Sequence, residues 1–224
     1  LDAVLARHRW LERGHAAGLI WALKSWIPVS RPQMRILDLG CGDGSFAPAL
    51  FREQANNFCG IDLSKPAIKL AAKCWPEATW VLANADRGLP VADSSVDCVM
   101  SLFGRRPVAE INRVLSPGGC CIVAVPGEED LIELREQVQK EGKRRSRIDA
   151  IIEEMKDNGL QCVDQKKWQT QIEVGPAEIA DALAMTYRAG RRSEQSLVES
   201  IDATKVTLAA DLMLFQHDAV PVRR

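Results

Sequence analysis

Arg35-Ile36-Leu37-Asp38-Leu39-Gly40-Cys41-Gly42-Asp43-Gly44-Ser45-Phe46 is the stretch that decides the fold. A short apolar strand runs into three alternate glycines and then into a helix-compatible segment reaching about Ala55. Gly40 and Gly42 permit a tight turn, and Gly44 lets backbone approach a ligand with no Cβ in the way. The N–H groups at the start of the following helix favour an anionic group such as a carboxylate or phosphate. Glycines at this spacing also serve plain turns, so the neighbouring residues must decide between the two.

The same rhythm continues downstream. Phe58-Cys59-Gly60-Ile61-Asp62 reads as a second strand, followed by a helix with Ser64 as N-cap and Pro66 in its first turn. Thr79 to Asn84 is a third strand and Val96 to Leu102 a fourth. Pro107 opens a helix to Leu115, and Gly119 to Val125 is a fifth, fully apolar strand. Strand and helix alternating in this way predict right-handed crossovers and a parallel sheet covered on both faces. Upstream, residues 2 to 26 read as one helical lead-in, ended by Pro28 and Pro32. Downstream, a long polar helix is expected from about Glu128 to Asn158, then extended segments at Leu160–Val163 and Gln169–Val174. A helix from Pro176 to Tyr187 and a strand from Thr204 to Phe215 complete the chain. The division expected is a lead-in over 1–32 and one domain over 33–224.

Composition narrows the function classes. With 46% hydrophobic and 26% charged residues in 224, the chain can bury a sizeable core without disulfide or metal staples. The formal net charge of -1 provides no global basic field, so any nucleic-acid contact needs a local patch. No apolar run is long enough to span a bilayer, and nothing at the start reads as a signal peptide. The seven cysteines are odd in number, lack a C-x-x-C pair and sit mostly in apolar segments, which suits a reducing, cytoplasmic setting. The three histidines are too scattered for a metal cluster, so no metal is expected. Leu1 rather than Met at the start reads as a piece of a longer product.

Three features around the glycine loop specify a ligand. Asp38, two residues before the first glycine, can accept a bond from an ammonium group. Asp62, at the end of the second strand, can take both hydroxyls of a ribose. Asn84-Ala85-Asp86 ends the third strand, where an exocyclic adenine amine could be read. A ligand with ammonium, carboxylate, ribose and adenine is S-adenosylmethionine (SAM). A dinucleotide carries a pyrophosphate instead, and its fingerprint wants Gly or Ala where this chain has Ser45.

These residues resemble the class I SAM-dependent methyltransferases over Arg35 to Val125, including Leu115-Ser116-Pro117-Gly118-Gly119 before the fifth strand. The resemblance implies a Rossmann-like α/β fold: a seven-stranded, mostly parallel sheet with the last strand antiparallel and helices on both faces. Thr204–Phe215 is the candidate for that last strand. It also implies a cofactor set of Asp38, Gly40, Cys41, Gly42, Gly44, Ser45, Phe46, Asp62, Leu63, Asn84, Ala85 and Asp86. A narrower likeness, from about Ala6 to Arg135, is to bacterial 23S rRNA guanine-N1 methyltransferases. It rests on Arg7-His8-Arg9-Trp10-Leu11-Glu12-Arg13-Gly14-His15, on Asp62 to Lys73, on Leu89-Pro90 with Asp93 to Asp97, on Phe103, on Ala109 to Leu115 and on Leu131-Ile132-Glu133-Leu134-Arg135. The family carries an N-terminal zinc finger, and this sequence opens at residues that follow it. Where the family has a pocket tyrosine this chain has Ala16, and its Phe-Ala-Pro is Phe103-Gly104-Arg105. A family histidine corresponds to Asp130.

The likeness makes ribosomal RNA the expected partner, with Phe103, Arg105 and Arg106 as acceptor-side candidates and Phe103 as a stacking platform for a flipped base. Arg135, Lys140, Lys143, Arg144, Arg145 and Arg147 form a basic run that is either a solvated helix face or a track for RNA phosphates, with Arg188–Arg192 beside it. Guanine N1 carries a proton that must leave, and Asp130 is a conceivable base, but the residues alone assign no catalytic group. Two other readings stay open: methyl transfer to a small molecule, and a SAM- or RNA-binding homologue that has lost catalysis.

Overall fold

A computed structural model of the chain describes residues 2–27, 33–138, 147–186 and 204–217. Seven strands form one sheet: β1 (Ile36–Leu39), β2 (Phe58–Asp62), β3 (Thr79–Leu82), β4 (Val96–Leu102), β5 (Leu115–Pro126), β6 (Leu160–Val174) and β7 (Thr204–His217). Their spatial order is β3-β2-β1-β4-β5-β7-β6. β3, β2, β1, β4 and β5 are mutually parallel, whereas β7 runs antiparallel to both β5 and β6. Six strands thus share one direction and the last opposes them, as expected from the glycine-loop resemblance.

Side-chain alternation along the central strands explains why both faces are covered. Ile36, Cys98, Met100, Ile122 and Ala124 enter one core with helices α2 (Ala17–Lys24) and α3 (Phe46–Phe51). Leu37, Val99, Cys121 and Val123 enter the opposite core with α5 (Val108–Val114) and α7 (Ile148–Asp157). α4 (Lys65–Cys74) packs beside β2 and β3, and its start is as anticipated: the Ser64 hydroxyl accepts the Ala67 N–H at 3.4 Å. Cys98 and Cys121 serve as small core residues, while Cys74 is exposed.

The elements differ from expectation in several places: β3 ends at Leu82 rather than Asn84, and β5 begins at Leu115, so that Leu115-Ser116-Pro117-Gly118-Gly119 opens the strand rather than preceding it. The lead-in is two helices, α1 (Asp2–Glu12) and α2, because Gly14 adopts φ +82° and its N–H bonds back to Leu11 O at 3.0 Å. The helix after the glycine loop ends at Phe51 and continues as a 3-10 turn to Asn57. The long polar helix is replaced by α6 (Ile132–Val138) and α7, with residues 139–146 outside the described part. The two extended segments at 160–163 and 169–174 are one strand, β6, with a register shift between Cys162 and Asp164. β6 is an edge strand with mostly exposed side chains, so its centre carries no apolar alternation to read. Last, α8 (Pro176–Thr186) starts at Pro176 as expected and packs against α1.

Candidate active site

The glycine loop sits at the carboxyl ends of β1 and β2, where open α/β sheets bind ligands. Its amides are largely spent on the chain itself. Gly40 N and Cys41 N reach Ile61 O, Gly44 N reaches Cys41 O, and Ala47 N reaches Gly44 O. Gly42 N donates to Asp62 Oδ2 at 2.9 Å, and Ser64 N donates to Asp62 Oδ1 at 2.7 Å. Asp62 therefore orders the loop, a duty that spacing alone does not reveal. Beside it, Leu63 is an apolar side chain left 69% exposed, which suits a flat ring laid on it.

Gly44 has a different reason to be glycine than ligand approach. At φ +75°, a Cβ there would lie 2.5 Å from the Trp80 ring and 3.1 Å from Ala71. The indole of β3 packs directly on the loop. At the other side, a Cβ on Gly104 would fall 2.5 Å from Leu39 O, and one on Gly40 would fall 3.0 Å from Gly104 Cα. The loops after β1 and β4 touch backbone to backbone, which accounts for glycine where the resembled family has alanine.

Asp38 is buried at the end of β1, and burial pushes its carboxyl up to about 7. Arg7 pulls it partly back, while Asp62 adds to the rise. Asp43 is also buried: it accepts from His8 Nδ1 at 2.7 Å and from the Ser45 hydroxyl, and lies 3.7 Å from Arg7 Nε. Phe46 lies beneath the Arg7 guanidinium at 5.6 Å. Two residues of α1 therefore close over the loop.

Beyond the end of β3, Asn84 caps the 3-10 turn Ala85–Arg87, its side chain accepting the Asp86 N–H at 3.0 Å. Asp86 pairs with Arg105, whose side chain is otherwise exposed. Arg105 thus ties the β3 end to the β4 end, and Arg106 has a buried Nε, so neither lines the neighbouring cavity. Phe103 does, held at φ +60° with its ring 6.4 Å from that of Phe46. Non-glycine residues rarely adopt this backbone conformation, and they cluster at functional sites.

The cavity holds about 600 Å³ and is walled by α1, α2, the ends of β4 and β5, and α8. Its apolar lining includes Trp10, Leu19, Phe46, Phe103, Trp168 and Leu208. Ala16 also lines it. Charged groups on the wall are Arg7, Glu128, Asp130, Arg135 and Arg147. The two described ends of the basic run, Arg135 and Arg147, therefore face this cavity, whereas Lys140, Lys143, Arg144, Arg145 and Arg188–Arg192 lie outside the described residues. The cavity roof is clamped by ion pairs: Asp181 on α8 takes Arg9 and, at 2.7 Å, Arg13, and His15 meets Glu178 at 2.8 Å.

Asp130 is a half-buried carboxylate of the wall. Its Oδ1 accepts the Ala209 N–H at 3.0 Å, and burial raises its carboxyl to about 6 against the opposing pull of that bond and of Arg135. Arg135 also donates to the backbone oxygens of Glu128 and Asp130 at 3.1 and 3.2 Å, and Leu131 is held at φ +49°. The loop is pinned from both sides.

Residues 36–119 match the family described as a methyltransferase domain. The match places a SAM-dependent methyltransferase domain over these residues. SAM is the cofactor of that domain. YxjB of Bacillus subtilis, provisionally named a 23S rRNA (guanine-N(1)-)-methyltransferase, is 38% identical over 50% of this chain and 40% of its own length. A Streptomyces fradiae 23S rRNA (guanine(748)-N(1))-methyltransferase is 27% identical over 82% of this chain and 67% of its own. The matches therefore span 40% and 67% of these relatives' own lengths. A malonyl-[acyl-carrier protein] O-methyltransferase of Alcanivorax borkumensis is 34% identical over 53% of this chain and 44% of its own. The YcgJ structure from Bacillus subtilis superposes with a TM-score of 0.64 at 17% identity, covering 89% of this chain and 97% of that one, a likeness of fold. Among the described residues no group of His, Cys, Asp or Glu could hold a metal ion, and no helix is long and apolar enough to cross a membrane.

Arg7, His8, Trp80 and Trp168 complete this methyltransferase site without having been assigned a role from sequence. The first two lie in the Arg7–His15 segment that carries the narrower family likeness, which is the signal that could have found them. Asp62→Ala should weaken SAM binding by about 1.5–3 kcal/mol, the range for hydrogen bonds to a charged group. Calorimetry that finds SAM affinity unchanged in this variant would remove Asp62 from the ribose position.

Proposed function

We propose that this chain transfers the methyl group of SAM to N1 of a guanine in ribosomal RNA, as a cytoplasmic enzyme. The observation that carries the reading is the cavity beside the glycine loop, which joins two neighbouring phenylalanines, Phe46 and Phe103, with tilted rings 6.4 Å apart, to a half-buried carboxylate, Asp130. SAM supplies an electrophilic methyl group that needs no further activation. The chain's residues bind and orient: Asp38 takes the ammonium group, Asp62 the ribose hydroxyls, and Leu63 the adenine face. The backbone of Ala85 and the side chains of Asn84 and Asp86 border the adenine edge. Phe103 stacks on the acceptor base, and holding that base in line at near-attack distance supplies most of the acceleration. Asp130 receives the N1 proton as the N–CH3 bond forms. Residues 33–224 act as the catalytic unit with 1–32 as its lead-in. Similarity to the two 23S rRNA relatives supports the acceptor.

The second reading is a small-molecule acceptor, favoured by the apolar lining and the clamp of α1 on α8 over the cavity. Labelled SAM with unmodified 23S rRNA, followed by nuclease digestion and mass spectrometry, separates the two. Label in 1-methylguanosine is the expected result. RNA left unlabelled while small acceptors are methylated overturns it.

A further inference from the structure

SAM ends in an amino-acid head, with an ammonium and a carboxylate on one carbon, and both must be satisfied where water is excluded. Asp38 is placed for the ammonium. For the carboxylate, five amides in and just after the glycine loop are already engaged: Gly40, Cys41, Gly42, Gly44 and Ala47 all donate within the chain. Helix α3, six residues long, adds no N-terminal anion site of consequence. A cationic side chain beside the loop would complement the carboxylate most strongly.

Two cationic or cationisable groups of α1 lie over the loop. His8 is committed, with Nδ1 on Asp43 at 2.7 Å and Nε2 3.3 Å from Glu12. Arg7 is not committed in the same way. Its Nε is buried without a hydrogen bond, and it faces Asp43 Oδ1, itself buried without one, across 3.7 Å. That is an ion pair too long for a hydrogen bond, in a place where unmet polar atoms are costly. The guanidinium carbon lies 3.8 Å from where a Cβ on Gly42 would stand, so it is against the loop itself. Phe46 supports its face, and Arg7 lines the cavity that adjoins the loop. Arg7 is also the cation that acts on Asp38. An anion and a cation side by side complement a zwitterionic amino-acid head, and a guanidinium fork matches a carboxylate bidentately.

We propose that Arg7 holds the carboxylate of SAM, so that the lead-in helix α1 is part of the cofactor site. The proposal rests on SAM as the ligand and on Asp38 as the partner of its ammonium group. When SAM binds, the guanidinium gains the hydrogen bonds it lacks at Asp43, and α1 is fastened over the loop.

Decarboxylated SAM, which keeps the ammonium and lacks the carboxylate, is the probe. By calorimetry at pH 8 the wild-type chain should bind SAM about tenfold to a hundredfold tighter than decarboxylated SAM, the span expected for hydrogen bonds to a charged group. In Arg7→Met, SAM should weaken to within about twofold of decarboxylated SAM, roughly 0.4 kcal/mol. Decarboxylated SAM itself should bind as before or tighter, because a cation near the ammonium has gone. Arg7→Lys keeps the charge without the fork and should lose affinity for SAM alone, by less. Hydrogen exchange adds a readout independent of turnover: SAM should slow amide exchange across α1, and decarboxylated SAM should not. A wild-type chain that does not prefer SAM overturns the inference even if Arg7→Met fails to fold. So does a variant that loses both ligands equally, which marks Arg7 as packing only. If wild type binds neither ligand, SAM as the ligand fails first, and the Arg7 assignment falls with it.

Discussion

Asp38→Asn should stabilise the protein at pH 8 while removing much of its affinity for SAM. Asp38 is buried, and its carboxyl is raised to about 7 chiefly by that burial. In the unfolded chain it titrates near the ordinary value of about 3.9. The native state therefore holds this proton more tightly than the unfolded state. The stability it contributes is complete below about pH 4 and is lost as pH rises through about 7. Each unit of difference corresponds to about 1.4 kcal/mol, so asparagine, which carries no charge, should recover on the order of 2–4 kcal/mol above pH 8. Denaturant titrations of both proteins between pH 4 and 9 test this: the gap should open with rising pH. The same substitution removes the ammonium partner and should weaken SAM by about tenfold to a hundredfold. Wild-type SAM affinity should also decline below about pH 7, where Asp38 must lose a proton to pair, and the variant should lack that decline. A variant with parent-like stability at pH 8 and parent-like affinity would show that the Asp38 carboxylate neither strains the fold nor meets the ligand.

Asp130→Asn should lower kcat on unmodified 23S rRNA by about 10²–10⁴-fold, the usual contribution of a positioned general base. SAM affinity should stay within about twofold, because Asp130 lies on the β5 side of the cavity, away from the loop contacts. Its carboxyl is raised to about 6 mainly by burial. The basic form is thus the majority above about pH 6, and the wild-type rate should fall as pH drops below that value. The acid limb should disappear from the residual activity of the variant. Retention of both the limb and the rate would assign proton removal to another group or to solvent. The charges able to move this limb are Arg135, Glu128, Arg147, Arg7 and His15, which share the cavity wall. Removing a cation among them should shift it upward, and removing Glu128 should shift it downward.

Legibility in the sequence followed from how local each signal is. Ser64 with Pro66, and Pro176, marked helix starts correctly because caps act within one turn. Central strands were legible because burial on both faces leaves near-continuous apolar runs. Edge strand β6 was read as two pieces because its exposed middle, Asp164 to Lys167, follows no apolar rule. The lead-in looked like one helix because its apolar spacing continues past Gly14, whose left-handed turn interrupts it. At the site, Asp38 and Asp62 could be placed from their offsets to the glycines and strand ends. Asn84 and Asp86 could be placed too, but not their engagement with the 3-10 turn and with Arg105.

The sequence by itself determined a parallel α/β sheet, a glycine loop after its first strand and a pair of carboxylates suited to an ammonium and a ribose. Each of these depends on residues close together in the chain, where backbone geometry leaves few choices. Only the tertiary structure decided that Trp80 is the reason for Gly44, that Gly104 must be glycine because Leu39 O leaves no space, and that Arg7 and Asp130, far apart in the sequence, face one cavity. Those relations join positions tens of residues apart through close packing, and packing at that range is settled by the fold as a whole rather than by any local pattern.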